Sequence, residues 1–180
     1  MMSPFAIVAL LVLASVLALI GVVIASFGVT ALWGAPFVGT PAPIVRRMIK
    51  LADAKAGETL MDLGSGTGAI LIVAAREFGM RAIGYELNPF LRIITRVKAR
   101  WYGVADQVEV RSGNIFSIPL PAVDVVTLFL LEPAVARLKP KLIAELPSNV
   151  RIIARDFHLQ DWPHYKQDGW LRAYRKGDVL

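Results

Sequence analysis

The sequence contains no cysteine. That excludes a disulfide framework and any thiolate metal site, and it agrees with a domain on the reducing side of a membrane. Histidine is nearly as scarce. His158 and His164 are the only two, neither has partners at zinc spacing, and no metal centre is expected. A third absence is regional: no charged side chain precedes Arg46, so the whole formal charge of +6 belongs to the chain from there onward. Internal repeats are absent too, which argues against solenoids and arrays.

The uncharged region has a use of its own. From Phe5 to Phe27 the chain is apolar almost without interruption. As a helix this run is roughly 35 Å long, enough to cross a hydrocarbon core of about 30 Å. A cleavable signal peptide wants a positive start and a shorter apolar stretch, and a soluble core helix would show polar residues on one side. The expectation is one retained transmembrane helix within residues 1–35. Trp33 is the expected interfacial anchor, in a Gly- and Pro-rich exit over 33–43. Arg46, Arg47 and Lys50 follow the span, so the positive-inside rule places the domain at 36–180 on the cytoplasmic side. A basic domain tethered there suits anionic lipid headgroups, although the same sign of charge suits nucleic acid.

Beyond the exit, Val45, Met48, Ile49 and Ala52 recur at helical spacing, with Arg46, Arg47 and Lys50 off that face. Strand and helix patterns then alternate. Residues 58–63, 81–87, 107–113, 123–131 and 149–157 read as strands, and 169–176 as an antiparallel edge beside the last of them. Helices fall between: one over 67–78, one opened by Asn88 as N-cap with Pro89 in first position, and one marked by Val135, Leu138, Leu142 and Leu146. In the second of these, Phe90, Ile94, Val97 and Trp101 share a face, while Arg92, Arg96 and Arg100 form a basic stripe of the sort that is usually solvated. The alternation predicts a doubly wound α/β sheet with helices on both faces, preceded by the N-terminal span.

Chemistry concentrates at "LMDLGSGTGAI", residues 60–70. Glycines at 64, 66 and 68 let the backbone approach a ligand, and the following helix N-terminus offers free N–H donors. The spacing is not that of dinucleotide binders, and no Lys-Ser/Thr pair follows as a phosphate loop requires. Asp62, two residues ahead of the first glycine, would repel a pyrophosphate, but it suits the ammonium and sulfonium of S-adenosyl-L-methionine. Glu86, at the end of the neighbouring strand, is placed to accept hydrogen bonds from ribose hydroxyls. Asn114 falls where an amide reaches an adenine edge, or where a turn wants an Asn.

With those residues in place, "DLGSGTGAI…GYELNPF…NIF" resembles the nucleotide half of a class I methyltransferase. Together with "PFVGTP" at 36–41, "PKLIAEL…VRIIARDFHLQDW" and the N-terminal span, it is similar to the membrane-anchored protein-lysine methyltransferases. That family includes the mitochondrial enzymes for the ATP synthase c-subunit and the adenine nucleotide translocase, and small archaeal relatives without an anchor. The resemblance implies a Rossmann-like class I methyltransferase sheet. It implies that Asp62, Gly64, Ser65, Gly66 and Gly68 hold the methionine part of the cofactor, that Glu86 holds the ribose, and that Asn114 lies near the adenine. Thr67 stands where relatives often carry an acidic residue.

Methyl transfer to lysine needs a neutral amine. With an ordinary pKa of about 10.4, deprotonation at pH 7 costs roughly 4–5 kcal/mol. Glu132, after the fourth strand, is the candidate for receiving the incoming ammonium, and Asn88, Phe90 and Trp162 are candidates for lining its path. The expected activity is membrane-tethered methylation of lysine in a protein substrate, with S-adenosyl-L-methionine as donor and no metal. Methylation of a membrane lipid or quinone, and a non-catalytic cofactor-binding scaffold, are the alternatives. Nucleic acid is a poorer fit, because no Asn/Asp-Pro-Pro-aromatic tetrad follows the fourth strand.

Overall fold

The computed structural model describes residues 3–32 and 39–179. The expected anchor Trp33 and the first three residues of the 36–41 motif lie outside these described residues. The chain divides into two compact units, Met1–Pro36 and Phe37–Leu180.

The first unit is one helix, α1 (Pro4–Leu32), with no acidic residue in its first turn and no basic residue in its last. Pro4–Val22 is long and apolar enough to cross a membrane, and none of it is buried inside the protein.

The second unit starts with α2 (Ala42–Leu51) and continues through β1 (Thr59–Leu63), α3 (Ala69–Phe78), β2 (Arg81–Tyr85), α4 (Pro89–Trp101), β3 (Val108–Arg111) and β4 (Val125–Leu128). It ends with α5 (Glu132–Glu145), β5 (Arg151–Arg155), β6 (His164–Asp168), β7 (Leu171–Arg175) and a short 3-10 turn over Lys176–Asp178. The sheet order is β3-β2-β1-β4-β5-β7-β6. The first five strands are parallel, and β7 runs antiparallel to both neighbours. Strand order reverses between β1 and β4, and a ligand cleft opens at the carboxyl ends of strands at such a switch point.

Alternation along each strand sorts the core into two layers. Met61 and Leu63 of β1 face the α5 side, packed with Leu138, Leu142 and Ile152. Leu60 faces the opposite side, with Val45, Met48 and Ile49 of α2 and Leu71 and Ala74 of α3. The apolar stripe expected on α2 is therefore core. Two of its flanking arginines are paired within the domain: Arg46 bonds Glu77 in a fork, and Arg47 bonds Asp168.

Two features go beyond the sequence-based reading. β6 is an additional strand, polar enough at "HYKQD" to escape the pattern. It lies at the sheet edge, where half-exposed polar side chains are tolerated, and it joins β7 through Gly169 at φ 59°, as a two-residue hairpin requires. The shared face of Phe90, Ile94, Val97 and Trp101 points outward, a direction that the pattern alone left open. The inner side of α4 is made by Leu91, Thr95 and Ala99, whose small residues let the helix sit close to the glycine turn.

Candidate cofactor and substrate site

The turn between β1 and α3 is fixed by its glycines. Gly64, Gly66 and Gly68 all have positive φ, at 86°, 54° and 73°. At Gly68 the demand is steric as well as torsional, because an added Cβ would overlap the Thr95 side chain of α4. The Thr95 hydroxyl donates to the Gly66 carbonyl and to its own helix at Leu91, so α4 closes over the turn from outside. The Gly64 and Ser65 amides both donate to the Tyr85 carbonyl at the end of β2. The Ser65 hydroxyl is buried and has no hydrogen-bond partner.

Two buried carboxylates flank this turn. Asp62 is the fourth residue of β1, on the same sheet face as Thr127 of β4, and accepts the Thr127 hydroxyl at 2.7 Å. Removal from water pushes its carboxyl up to about 7, and the nearby Glu86 charge adds to this while the Thr127 bond opposes it. Such a group is ready to ionise beside a cation and costly to ionise without one. Glu86 sits just past β2 and is held from two sides: Gly66 N–H donates to one oxygen at 2.9 Å and Asn88 N–H to the other at 2.8 Å. Each oxygen keeps further acceptor capacity, so the carboxylate presents a fixed two-oxygen face of the kind that a ribose diol requires. A cradle that a Cβ would fill, an anionic partner for a cation and a rigid diol acceptor fit S-adenosyl-L-methionine.

The remaining candidates are more dispersed. Asn88 is the N-cap of α4, buried, and its side-chain oxygen accepts Phe90 N–H. Asn114 makes a turn in which its side-chain oxygen accepts Phe116 N–H, so the turn role is present whatever its amide group does. Glu132 is the first residue of α5, exposed, and accepts a bond from the Gln160 side chain at 2.6 Å. Trp162 takes the core alternative. It is buried in the α5-side core, edge-on against Tyr174, with its indole N–H donating to the Arg175 carbonyl.

Sequence reasoning passed over several participants. Thr127, which pins Asp62, is signalled only as a lone hydroxyl in an otherwise apolar strand. Arg92 belongs to the site's scaffold more than to a solvated stripe, since it donates to the Glu86 and Leu87 carbonyls. At the carboxyl edge of β4 and β5, Arg155 lies 3.9 Å over the Phe129 ring and donates to the hydroxyl of Thr40. Thr40 is the fifth residue of the 36–41 motif, so that motif reaches the carboxyl edge of β5. No local pattern links residues so far apart in the chain.

Comparison with known proteins agrees with this geometry. The model of a family described as the ANTKMT methyltransferase domain matches residues 62–166. A protein-lysine N-methyltransferase of Saccharolobus islandicus (strain REY15A) is 34% identical over 128 residues, covering 71% of this chain and 80% of the relative. The adenine nucleotide translocase lysine N-methyltransferase of Mus musculus is 35% identical over 128 residues, and the chain spans 55% of its length. Among solved structures, an RNA methyltransferase from Salinibacter ruber in complex with S-adenosyl-L-homocysteine is 38% identical with a TM-score of 0.72, covering 77% of this chain and 92% of that one.

Proposed function

The chain belongs to the ANTKMT methyltransferase domain family and carries an S-adenosyl-L-methionine-dependent methyltransferase domain; from that premise we propose that it methylates the side-chain amine of lysine in a protein substrate at a membrane. One observation carries the cofactor half of this reading: the three-glycine turn stands between two buried carboxylates, Asp62 and Glu86, at the switch point of the sheet. Asp62, Gly64, Ser65, Gly66 and Gly68 would hold the methionine end, Glu86 the ribose and Asn114 the adenine edge. The bound cofactor supplies an electrophilic methyl group on a sulfonium. The lysine half rests on the relatives, two of which carry that activity in their names.

The protein's task toward the amine is to align it and to lighten its proton. Glu132 would attract the incoming ammonium at the mouth of the cleft, where a first-turn carboxylate is also favoured by the helix dipole. Asn88, rigid as an N-cap, and the half-buried Phe90 beside it would form the wall on the β2 side. Desolvation along this wall favours the neutral amine and so offsets part of the roughly 4–5 kcal/mol of deprotonation. Alignment of the freed lone pair against the methyl supplies much of the remainder through proximity.

The membrane part of the reading is supported by the length and apolarity of Pro4–Val22. The domain would then lie on the cytoplasmic side, as a single-pass protein. A nucleic-acid substrate is the second reading, favoured by the Salinibacter structure and the basic balance. The segment Leu131-Glu132-Pro133-Ala134 after β4 lacks the amide-proline-proline tetrad that base methylation would call for. Incubating the full chain with labelled S-adenosyl-L-methionine, membrane fractions and total RNA separates the readings. Label on lysine in protein is the expected result, and label confined to RNA or lipid overturns the proposal.

A further inference from the structure

The outer face of α4 carries a contiguous exposed apolar surface. At about 100° per residue, Phe90, Ile93, Ile94, Val97 and Trp101 fall within one stripe, opposite the buried Leu91, Thr95 and Ala99. Trp101 is 84% exposed, Val97 55% and Ile93 54%. A helix whose solvent side is greasier than its core side is the reverse of the ordinary amphipathic arrangement, and contiguous exposed apolar patches of this kind mark interaction sites. The residues bordering the stripe decide the partner. Arg96 and Arg100 lie along one side and Lys98 along the other, with no acidic side chain anywhere on α4.

We propose that α4 docks on an anionic lipid bilayer, lying in the headgroup plane with its apolar stripe inserted and Arg100 and Lys98, on either side of it, against lipid phosphates, while Arg96 stays bonded to the Val110 carbonyl. The pattern of bulky apolar residues between cations, with Trp101 at the helix end, is that of an interfacial helix, and each cation near an anionic surface adds about 1 kcal/mol. A protein groove would want acidic groups facing the same cations. The proposal rests on the membrane reading above and deepens it: α4 begins three residues after Glu86, so docking holds the rim of the cofactor site at the lipid surface. The substrate lysine would then lie at the membrane–water boundary.

The absence of cysteine permits a direct test. Val97→Cys in the full-length chain takes a single nitroxide at an exposed position. The labelled protein is reconstituted in phosphatidylcholine vesicles with or without about 30% phosphatidylglycerol. Asp178→Cys, on the exposed 3-10 turn, serves as the aqueous control. In anionic vesicles the label at 97 is expected to be accessible to oxygen and shielded from a water-soluble nickel chelate, and the label at 178 the reverse. Adding Lys98→Gln and Arg100→Gln should lower the ratio of docked to undocked protein about 30-fold. Nickel accessibility at 97 equal to that at 178, in protein that stays with the vesicles through an alkaline wash, overturns docking and leaves the span intact. Loss of the protein in that wash instead overturns the membrane reading itself. Shielding at 97 from both reagents means that a protein partner or a second copy covers the face, and it also overturns the proposal.

Discussion

The two halves of the cleft are built differently. On the β1–β2 side the ligand surface is backbone: three glycines at positive φ, amides tied to the Tyr85 carbonyl, and two carboxylates locked by Thr127 and by the Gly66 and Asn88 amides. On the β4–β5 side the candidate surface is side chain: the exposed Glu132 bonded to Gln160, and Arg155 stacked on Phe129 and bonded to Thr40. A backbone surface suits a ligand that never changes, and a side-chain surface suits one that differs among relatives. Variants on the first side should therefore move cofactor affinity, and variants on the second should leave it alone.

The sharpest break is Gly68→Val. It adds a β-branched side chain where φ is 73° and where even a Cβ meets Thr95, so cofactor binding by calorimetry should vanish and the melting temperature should fall. Gly68→Ala with Thr95→Ala relieves the overlap and keeps only a backbone penalty of about 1 kcal/mol, so measurable binding should return. Full binding by Gly68→Val would refute a backbone-built cofactor half. Next in size is Glu86→Gln, which replaces one of two acceptor oxygens by a donor. Affinity should drop about 10- to 100-fold, as for a lost charged hydrogen bond, while the protein stays folded by circular dichroism.

Asp62 gives a pH signature. Its carboxyl is raised to about 7 in the fold from an ordinary 3.8, so the unliganded fold keeps more protons than the unfolded chain between those values. The stability it contributes is complete below about pH 4 and is lost as pH rises through about 7. A cationic ligand prefers the ionised form, so cofactor affinity should rise about 10-fold per pH unit below 7 and level off above it. Asp62→Asn should flatten both slopes, and an unchanged affinity profile in that variant would show that Asp62 is not the titrating partner. The smallest effect belongs to Glu132→Gln. An exposed charge is worth about 0.2–1 kcal/mol, so KM for the protein substrate should rise no more than about 5-fold with cofactor affinity unchanged. A loss of cofactor binding there would erase the distinction between the halves.

The same contrast explains what was legible in the sequence. The alternation of elements and the antiparallel pairing of β7 beside β5 followed from local hydrophobic period, and the glycine turn followed from residues adjacent in the chain; the strand order did not. β6 escaped because an edge strand need not be apolar, and "HYKQD" is not. The outward turn of α4 escaped because periodicity locates a stripe without saying which side of the helix meets the sheet; Thr95 and Ala99, small enough to pack closely, made that choice. Trp162 stood open between channel and core because aromatic residues serve both, and its burial against Tyr174 with the indole bond to Arg175 gives the core use. Arg155, Phe129 and Thr40 meet through tertiary folding alone.

One carboxylate links these parts mechanically. Glu86 grips the amide of Gly66 with one oxygen and the amide of Asn88 with the other, like a rivet through two plates. The turn and the N-cap of the surface helix are thus fastened to each other as well as to the sheet. Any tilt of α4 against a bilayer must load that rivet, and any occupant leaning on its remaining lone pairs must feel the load.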